Sequence, residues 1–263
     1  MKNNTTDLVL ATLAADSFTL GAHWIYTPED IENAKLDWMG LNKPLAQWHE
    51  GKAKGDFTHY GDQIVCLYEY IKEYDEYDTT NYINTWKTYM KTYSGYVDNA
   101  SSSTIENLNS KQSIPYGSNS DDFSVVGRIA PLLAVSSNEK TFLNNVRLFV
   151  SSTHNNEEVL EVADFFATLL WNLEKGSSIK ESIKKLTPKY SKRLQNYVKA
   201  AVQNSKNTTD AIIEFGSACS TNGAFQASIY LLDKFENDFE NAMIENAKAG
   251  GDSSARAMVY TML

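Results

Sequence analysis

The pattern that most constrains this chain is helical spacing that recurs from end to end, while strand-like alternation never lasts beyond four or five residues. Segment 6–21 sets Leu8, Leu10, Leu13, Ala14, Phe18 and Leu20 at helical intervals, with Thr6 as cap and Gly21 as stop. Ile64, Leu67, Tyr68 and Ile71 form the apolar face of a helix over 64–74. Tyr82, Ile83, Trp86, Tyr89, Met90 and Tyr93 do the same over 80–93. Short helices are expected near Pro28 and over 104–108, the second inside a Ser-, Asn- and Gly-rich surface stretch from 95 to 122. Further helices are predicted over 123–135, 138–151, 156–174, 178–186, 188–203, 208–215, 223–234 and 238–249, and from Asp252 to the end. No fixed-period repeat and no linker interrupts them, so the expectation is one all-α domain of about ten helices over residues 1–263.

Charge and composition remove several function classes. A formal net charge of -9 argues against a nucleic-acid surface, which needs a concentrated basic field. No run approaches the length of a membrane span, and the first residues lack the apolar core of a signal peptide. Cys66 and Cys219 lie in apolar segments without zinc-type spacing, which suits free thiols in a reducing compartment. A cytoplasmic protein with a small-molecule or ADP-ribosylated substrate, and with neither nucleic acid nor membrane as partner, is the expectation.

Candidate chemistry rests on carboxylates outside solvated faces: Asp16, Asp56, Asp62, Asp98, Asp121, Asp122 and Asp252. Near the C-terminus, Gly250-Gly251 breaks a helix, and Asp252 stands where an N-cap is needed, followed by Ser253 and Ser254. Far upstream, Gly61-Asp62-Gln63 leads into another helix. Two carboxylates converging in one pocket repel unless a cation separates them, and oxygen ligands from Asp and Ser suit Mg²⁺. Arg128, early in an apolar segment, needs a carboxylate or an anionic ligand. His154 precedes a helix, His23 and His59 each precede an aromatic residue, and His49 follows Trp48; a lone histidine is more often structural than a ligand. No nucleophile elbow and no Lys-bearing phosphate loop is present, although Gly117, Ser118 and Ser120 are weak candidates for donating backbone N–H groups to a phosphate.

Taken in order, these elements resemble the ADP-ribosylglycohydrolase family, which includes dinitrogenase-reductase-activating glycohydrolases and certain invertebrate lens crystallins. The matching features are Ala15-Asp16, Gly61-Asp62-Gln63, the loop from Gly95 to Asp98, Gly127-Arg128-Ile129-Ala130-Pro131, Thr153-His154-Asn155, and Asn246 through Gly251-Asp252. The resemblance implies a compact all-α fold in which two Mg²⁺ ions position ADP-ribose while water cleaves an N- or O-glycosidic bond. The family's Thr-Asp-Asp-Thr is laid on Tyr60-Gly61-Asp62-Gln63, keeping one aspartate. Its Gly-Gly-Asp-Thr-Asp-Thr becomes Gly250-Gly251-Asp252-Ser253-Ser254-Ala255, again keeping one. The acidic residue that follows Gly-Asp in the family's first helix is missing between Ser17 and Pro28.

The resemblance therefore implies Asp62 and Asp252 as catalytic groups, and Asp62, Asp252 and Ser253 as what is left of a Mg²⁺ site with fewer ions or none. Asp16, Asp98, Asp122, Arg128, His154 and Arg256 are the implied substrate contacts. Arg256 lies one helical turn past Asp252, so its guanidinium is expected to reach that carboxylate and supply charge that metal supplies in relatives. Three functions are open: a hydrolase of a ribosyl or related bond with an altered metal site, a non-catalytic nucleotide or ADP-ribose binder, or a structural crystallin-like protein.

Overall fold

The computed structural model describes residues 2–110 and 115–263. Its elements are helices joined by turns: thirteen α-helices among the described residues, with two isolated β-bridges and no strand. They are α1 (Lys2–Thr19), α2 (Pro28–Asn33), α3 (His59–Tyr74), α4 (Thr79–Thr92) and α5 (Asn99–Asn109). Then follow α6 (Glu139–Thr153), α7 (Glu157–Glu174), α8 (Ile179–Leu186), α9 (Lys192–Gln203) and α10 (Thr208–Phe215). The last are α11 (Thr221–Lys234), α12 (Phe239–Lys248) and α13 (Ser253–Thr261). The all-α expectation holds, and no helix among the described residues is long and apolar enough to cross a membrane.

Side-chain caps fix many of the boundaries. Asp98 accepts from Ser101 N at the start of α5, Asn138 from Thr141 N at α6, Asn156 from Glu158 N at α7 and Ser191 from Leu194 N at α9. Boundaries differ from expectation where a cap or a close contact overrides the apolar pattern. Helix α3 starts at His59, five residues before Ile64, because Thr58 caps it. The segment expected as one helix over 123–135 is instead two 3₁₀ turns, Phe123–Arg128 and Ala130–Val135. Pro131 lacks the N–H for an α-helical bond there, and Gly127 lies so close to Met258 of α13 that an added Cβ would stand 2.7 Å from the Met258 Cβ. Likewise the helix expected over 188–203 becomes a 3₁₀ turn, Thr187–Lys189, followed by α9.

Helix α7 runs through the core, with Val159, Leu160, Val162, Phe165, Phe166, Leu169 and Leu170 buried. Phe165 and Phe166 pack on Phe225 of α11 with ring centroids 5.3 and 5.4 Å away, and Phe166 meets Phe123 edge-on at 6.0 Å. Each such fully buried side chain contributes about 1.5–3 kcal/mol. Against this core α13 is enclosed: Ser253 through Val259 are all buried, and it packs on α1, α11 and the turn Phe123–Arg128. Cys66 is buried, Cys219 is half-buried, and both are free thiols.

The turn into α13 is the tightest in the chain. Gly250 and Gly251 both take positive φ, 67° and 61°. Trp24 N donates to Gly251 O at 2.8 Å and Gly251 N returns to Ile25 O at 2.7 Å, while Asp252 N reaches Ser217 O at 2.8 Å. Trp24 is itself held at φ 62°, which a bulky residue adopts only when its surroundings impose it. Gly251→Ala is predicted to cost clearly more than Gly176→Ala. Both glycines have positive φ, a penalty of about 1–2 kcal/mol for alanine. A methyl at 176 meets nothing within 4 Å, whereas one at 251 overlaps the Ser217 carbonyl. Urea unfolding measures the two losses, and equal losses would contradict the packing described.

Candidate active site

The starts of α3, α5 and α13 converge, with the turn 20–25 and the loop 117–122, on one cluster of buried polar groups. The first brace is Asp16 of α1, wholly buried, which accepts from Thr58 N at 2.8 Å, from Thr58 Oγ1 at 2.7 Å and from the Ser254 hydroxyl. Burial raises the Asp16 pKa, and these three hydrogen bonds pull against that rise. An added Cβ on Gly61 would collide with the Asp16 carboxylate, so α1 and α3 touch at this point. Asp16 thus ties α1, α3 and α13 together.

With α3 so placed, its first residues face the cluster. His59 and Tyr60 are buried, ring centroids 4.1 Å apart, and His59 Nε2 lies 3.4 Å from Asp98 Oδ2 at the start of α5. Burial alone would raise Asp98, but the bond to His59 and the charges of His59, Arg128 and His154 outweigh it and hold this carboxyl well below the usual range. Asp62, one turn into α3, turns elsewhere: its carboxylate meets Lys52 Nζ at 2.6 Å and the Tyr93 hydroxyl at 2.6 Å. Among the described contacts none joins Asp62 to Asp252.

Asp252 stands at the N-cap position of α13, where the Ala255 N–H of the first turn acts on its carboxyl without a close capping bond. It is wholly buried, and neither oxygen has a close hydrogen-bond partner among the described residues. Its pKa is raised to about 8, first by burial, then by the charge of Asp122, with Arg256, the Ala255 N–H and the Tyr60 hydroxyl opposing. His23 Nδ1 lies 3.6 Å from Asp252 Oδ1 and accepts from Ser254 N at 3.4 Å. That bond assigns a neutral ring with its hydrogen on Nε2. Burial, followed by the charges of His49, His59 and Arg256, lowers the His23 pKa well below the ordinary value.

Arg256 does not reach Asp252. Nε donates to Asn246 Oδ1 at 2.8 Å, and the two terminal nitrogens donate to Ser217 O at 3.2 Å and Gly250 O at 2.5 Å. The buried guanidinium spends its donors on the Gly250-Gly251 turn and acts on Asp252 only through charge; burial brings its own pKa down to about 10. Arg128 is likewise committed to Gln63 Oε1 at 2.8 Å and Ser124 Oγ at 2.6 Å, its guanidinium 5.3 Å over the Tyr60 ring, while its Nε is unpartnered. Asp122 is half-buried, its Oδ1 accepting from Ser124 N at 2.8 Å. Ser118 bridges His154, and Asp122 bridges Ser220, carrying the loop across the site. His154 is buried beside Asp122, Arg128 and Asp98, and burial lowers its pKa to about 4.

Aromatic rings form the outer part. Trp24 stacks on His23 at 4.8 Å and on His49 at 5.3 Å, two rings that are themselves 5.1 Å apart, and meets Tyr96 edge-on at 5.1 Å. Trp48, 52% exposed, contacts Tyr96 at 5.7 Å, and Tyr26 is 51% exposed. Within this enclosure His23 Nε2, His49 Nε2, His59 Nδ1, Arg128 Nε, His154 Nε2 and Ser253 Oγ have no hydrogen-bond partner among the described residues. Such a concentration of unmet polar atoms is costly in a core and expected of a pocket that binds something.

Two magnesium ions need about six oxygen ligands each. The donor set here does not match: Asp62 is neutralised by Lys52, Asp252 neighbours His23, Tyr60 and Arg256, and the residues after the capping Thr58 are His59 and Tyr60. No group of three or more His, Cys, Asp or Glu among the described residues is arranged to hold a metal ion.

Comparison with known proteins places this geometry. The sequence model described as ADP-ribosylglycohydrolase matches residues 2–263. The chain belongs to the ADP-ribosylglycohydrolase family. It is 22% identical over 277 residues to Crystallin J1A of Tripedalia cystophora, covering 97% of this chain and 85% of that protein. Crystallin J1B of the same animal is 22% identical over 276 residues, with 98% and 85% covered. A solved ADP-ribosylglycohydrolase-related protein complex shares the fold, with TM-score 0.70 and 17% identity over all of this chain and 86% of that one. Within this ADP-ribosylglycohydrolase fold, sequence reasoning missed His59, Tyr60, Trp24 and Tyr96 as site residues. The available signal was the repeated pairing of histidine with an aromatic neighbour at His23-Trp24, Trp48-His49 and His59-Tyr60.

Stability should carry the imprint of these groups. His49 and His154 titrate near pH 4 in the fold, against an ordinary 6.5. The unfolded chain therefore binds protons that the native one refuses, and stability falls as pH drops through that window. Asp252 acts oppositely: raised from 3.8 to about 8, it contributes fully below pH 3.8 and loses that contribution as pH rises toward 8. Between pH 6.5 and 8 the melting temperature is predicted to fall with rising pH, and Asp252→Asn to flatten that slope. An unchanged slope in the variant would contradict the buried neutral carboxyl.

Proposed function

We propose that this chain hydrolyses a ribosyl or related N- or O-glycosidic bond, using its own side chains for the acid–base steps. The observation that carries the reading is Asp252: a wholly buried carboxyl whose pKa is raised to about 8, in the same cluster as Asp98, whose carboxyl is held well below the usual range. Carboxyls pushed apart in pKa by their surroundings are what acid–base cleavage of a glycosidic bond requires. His59 leans on Asp98 through Nε2 and has Nδ1 free, so Asp98 orients the ring.

In the step itself, water loses a proton to His59 Nδ1 while its oxygen bonds to the anomeric carbon. The glycosidic bond breaks, and Asp252 gives its proton to the departing nitrogen or oxygen. Solvent then returns the proton from His59 to Asp252. Electron-rich Asp98 and Asp122 favour the positive charge that develops on the sugar. Asp252→Asn is predicted to lower hydrolysis by about 10²–10⁴-fold, with EDTA leaving the wild-type rate unchanged. Loss of activity in EDTA that Mg²⁺ restores would show metal-dependent chemistry instead. The similarity to two crystallins favours a second reading, a family member that kept the pocket without turnover; saturable ligand binding with no product over long incubation would support it.

A further inference from the structure

Away from the polar cluster, charge is sorted unevenly along the chain. Eight of the 24 basic residues fall between positions 175 and 199 with a single acidic residue, Glu181, among them, in a protein of formal net charge -9. This stretch builds α8, the turn Thr187–Lys189 and most of α9. A run of like charge is usually a solvated face, and several of these cations are answered locally. Lys180 has Asp233 and Glu236 at 3.7 and 3.9 Å, Lys185 has Glu181 at 3.8 Å, and Arg193 has Glu158 and Glu161, both at 2.9 Å. Lys184 of α8 and Lys199 of α9 are exposed and have neither an ion pair nor a hydrogen bond among the described residues.

Both of these lysines line one groove. Helices α8 and α9 each pack on α11, and between them lies a cavity of about 460 Å³. From one side it is lined by Lys180, Ile183 and Lys184, with Thr187 just past α8; from the other by Gln195, Val198, Lys199 and Val202. On each side the spacing is i, i+3, i+4, i+7, a single helix face held over two turns and roughly 10 Å of slot. Ile183 and Val198 are recessed, 4% and 7% exposed, whereas Val202 at the lip is 44% exposed.

That shape selects among occupants. A bilayer is broad and flat, and insertion into it needs apolar side chains that project, not ones sunk between two helices. A slot lined by matching faces of two helices takes a convex, ridged body, which the apolar stripe of a third helix provides. Lys184 and Lys199 beside the slot require carboxylates flanking that stripe, where complementary charge sets partner choice and register.

We propose that the α8–α9 groove docks an acidic amphipathic helix of a partner protein, its apolar residues seated over Ile183, Val198 and Val202 and its carboxylates against Lys184 and Lys199. The groove shares no residue with the cluster around Asp98 and Asp252, so the proposal stands or falls independently of turnover there.

The test is fluorescence anisotropy of the full chain, at physiological ionic strength, with a labelled peptide of three Leu-Glu-Gln-Leu-Leu-Glu-Ala heptads. Saturable binding is expected, weakened about tenfold by Lys184→Glu combined with Lys199→Glu, and severalfold by Val202→Ser. Lys189→Glu makes the same charge change in the same basic run but outside the groove, and is expected to weaken binding by less than about twofold. All four positions are exposed, and an unchanged melting temperature confirms that each variant folds. No binding of the peptide, equal binding of a scrambled peptide of the same composition, or an equal loss with Lys189→Glu would each overturn the proposal. Sedimentation with phosphatidylserine vesicles is the remaining arm: vesicle binding that depends on Lys184 and Lys199, without peptide binding, would assign the patch to a membrane surface instead.

Discussion

Everything around the pocket hangs on Asp16. Its carboxylate lies in the interior with no solvent, and it is tolerated because Thr58 supplies two donors and Ser254 a third. Those donors belong to elements 42 and 238 residues away in the chain, at the beginnings of α3 and α13. A single buried charge therefore sets where two helices start, and the first turns of those helices carry His59, Tyr60 and Asp252. In a helical domain most contacts fix how faces pack; this one fixes which residues meet in the buried polar cluster.

The second constraint is the Gly250-Gly251 turn. Two left-handed residues let the chain enter α13 against Ile25 and Ser217, and Arg256 ties the two segments by donating to Gly250 O and Ser217 O. Because backbone partners satisfy that guanidinium, Asp252 keeps a positive charge nearby without a direct ion pair. The result is an intermediate state of affairs: enough stabilisation to hold the carboxyl in the core, too little to keep it ionised. Trp24, pinned in an unfavourable backbone conformation by the same turn, lays its ring against His23 and His49.

Much of the fold was legible because helical periodicity and capping are local. The segments around α6, α7, α11 and α12 needed only their own residues. The family, too, was visible from motif order alone. What local pattern could not show was orientation. The stripe Ile64, Leu67, Tyr68 and Ile71 locates the body of α3, but its starting residue depends on Thr58 meeting Asp16 across the structure. That is why the Asp62 carboxylate, expected to face Asp252, meets Lys52 and Tyr93 instead, while His59 and Tyr60 join the cluster. Arg256 at helical spacing from Asp252 was a sound expectation of reach. Carbonyls at Ser217 and Gly250 simply offered the guanidinium better geometry. Asp252 itself was expected as a cap, and it takes that position without a close capping bond.

The account turns on one proton. Asp252 is described as a neutral acid at physiological pH, kept so by burial and by Asp122, in a site whose remaining groups do not suit a pair of divalent cations. Carbon-13 NMR of aspartate-labelled protein, with Asp252→Asn identifying the signal, follows its carboxyl directly across pH. The account predicts an apparent pKa near 8, unaltered by millimolar Mg²⁺. A carboxyl that titrates at the ordinary aspartate value, or whose titration collapses to low pH when Mg²⁺ is added, would contradict it.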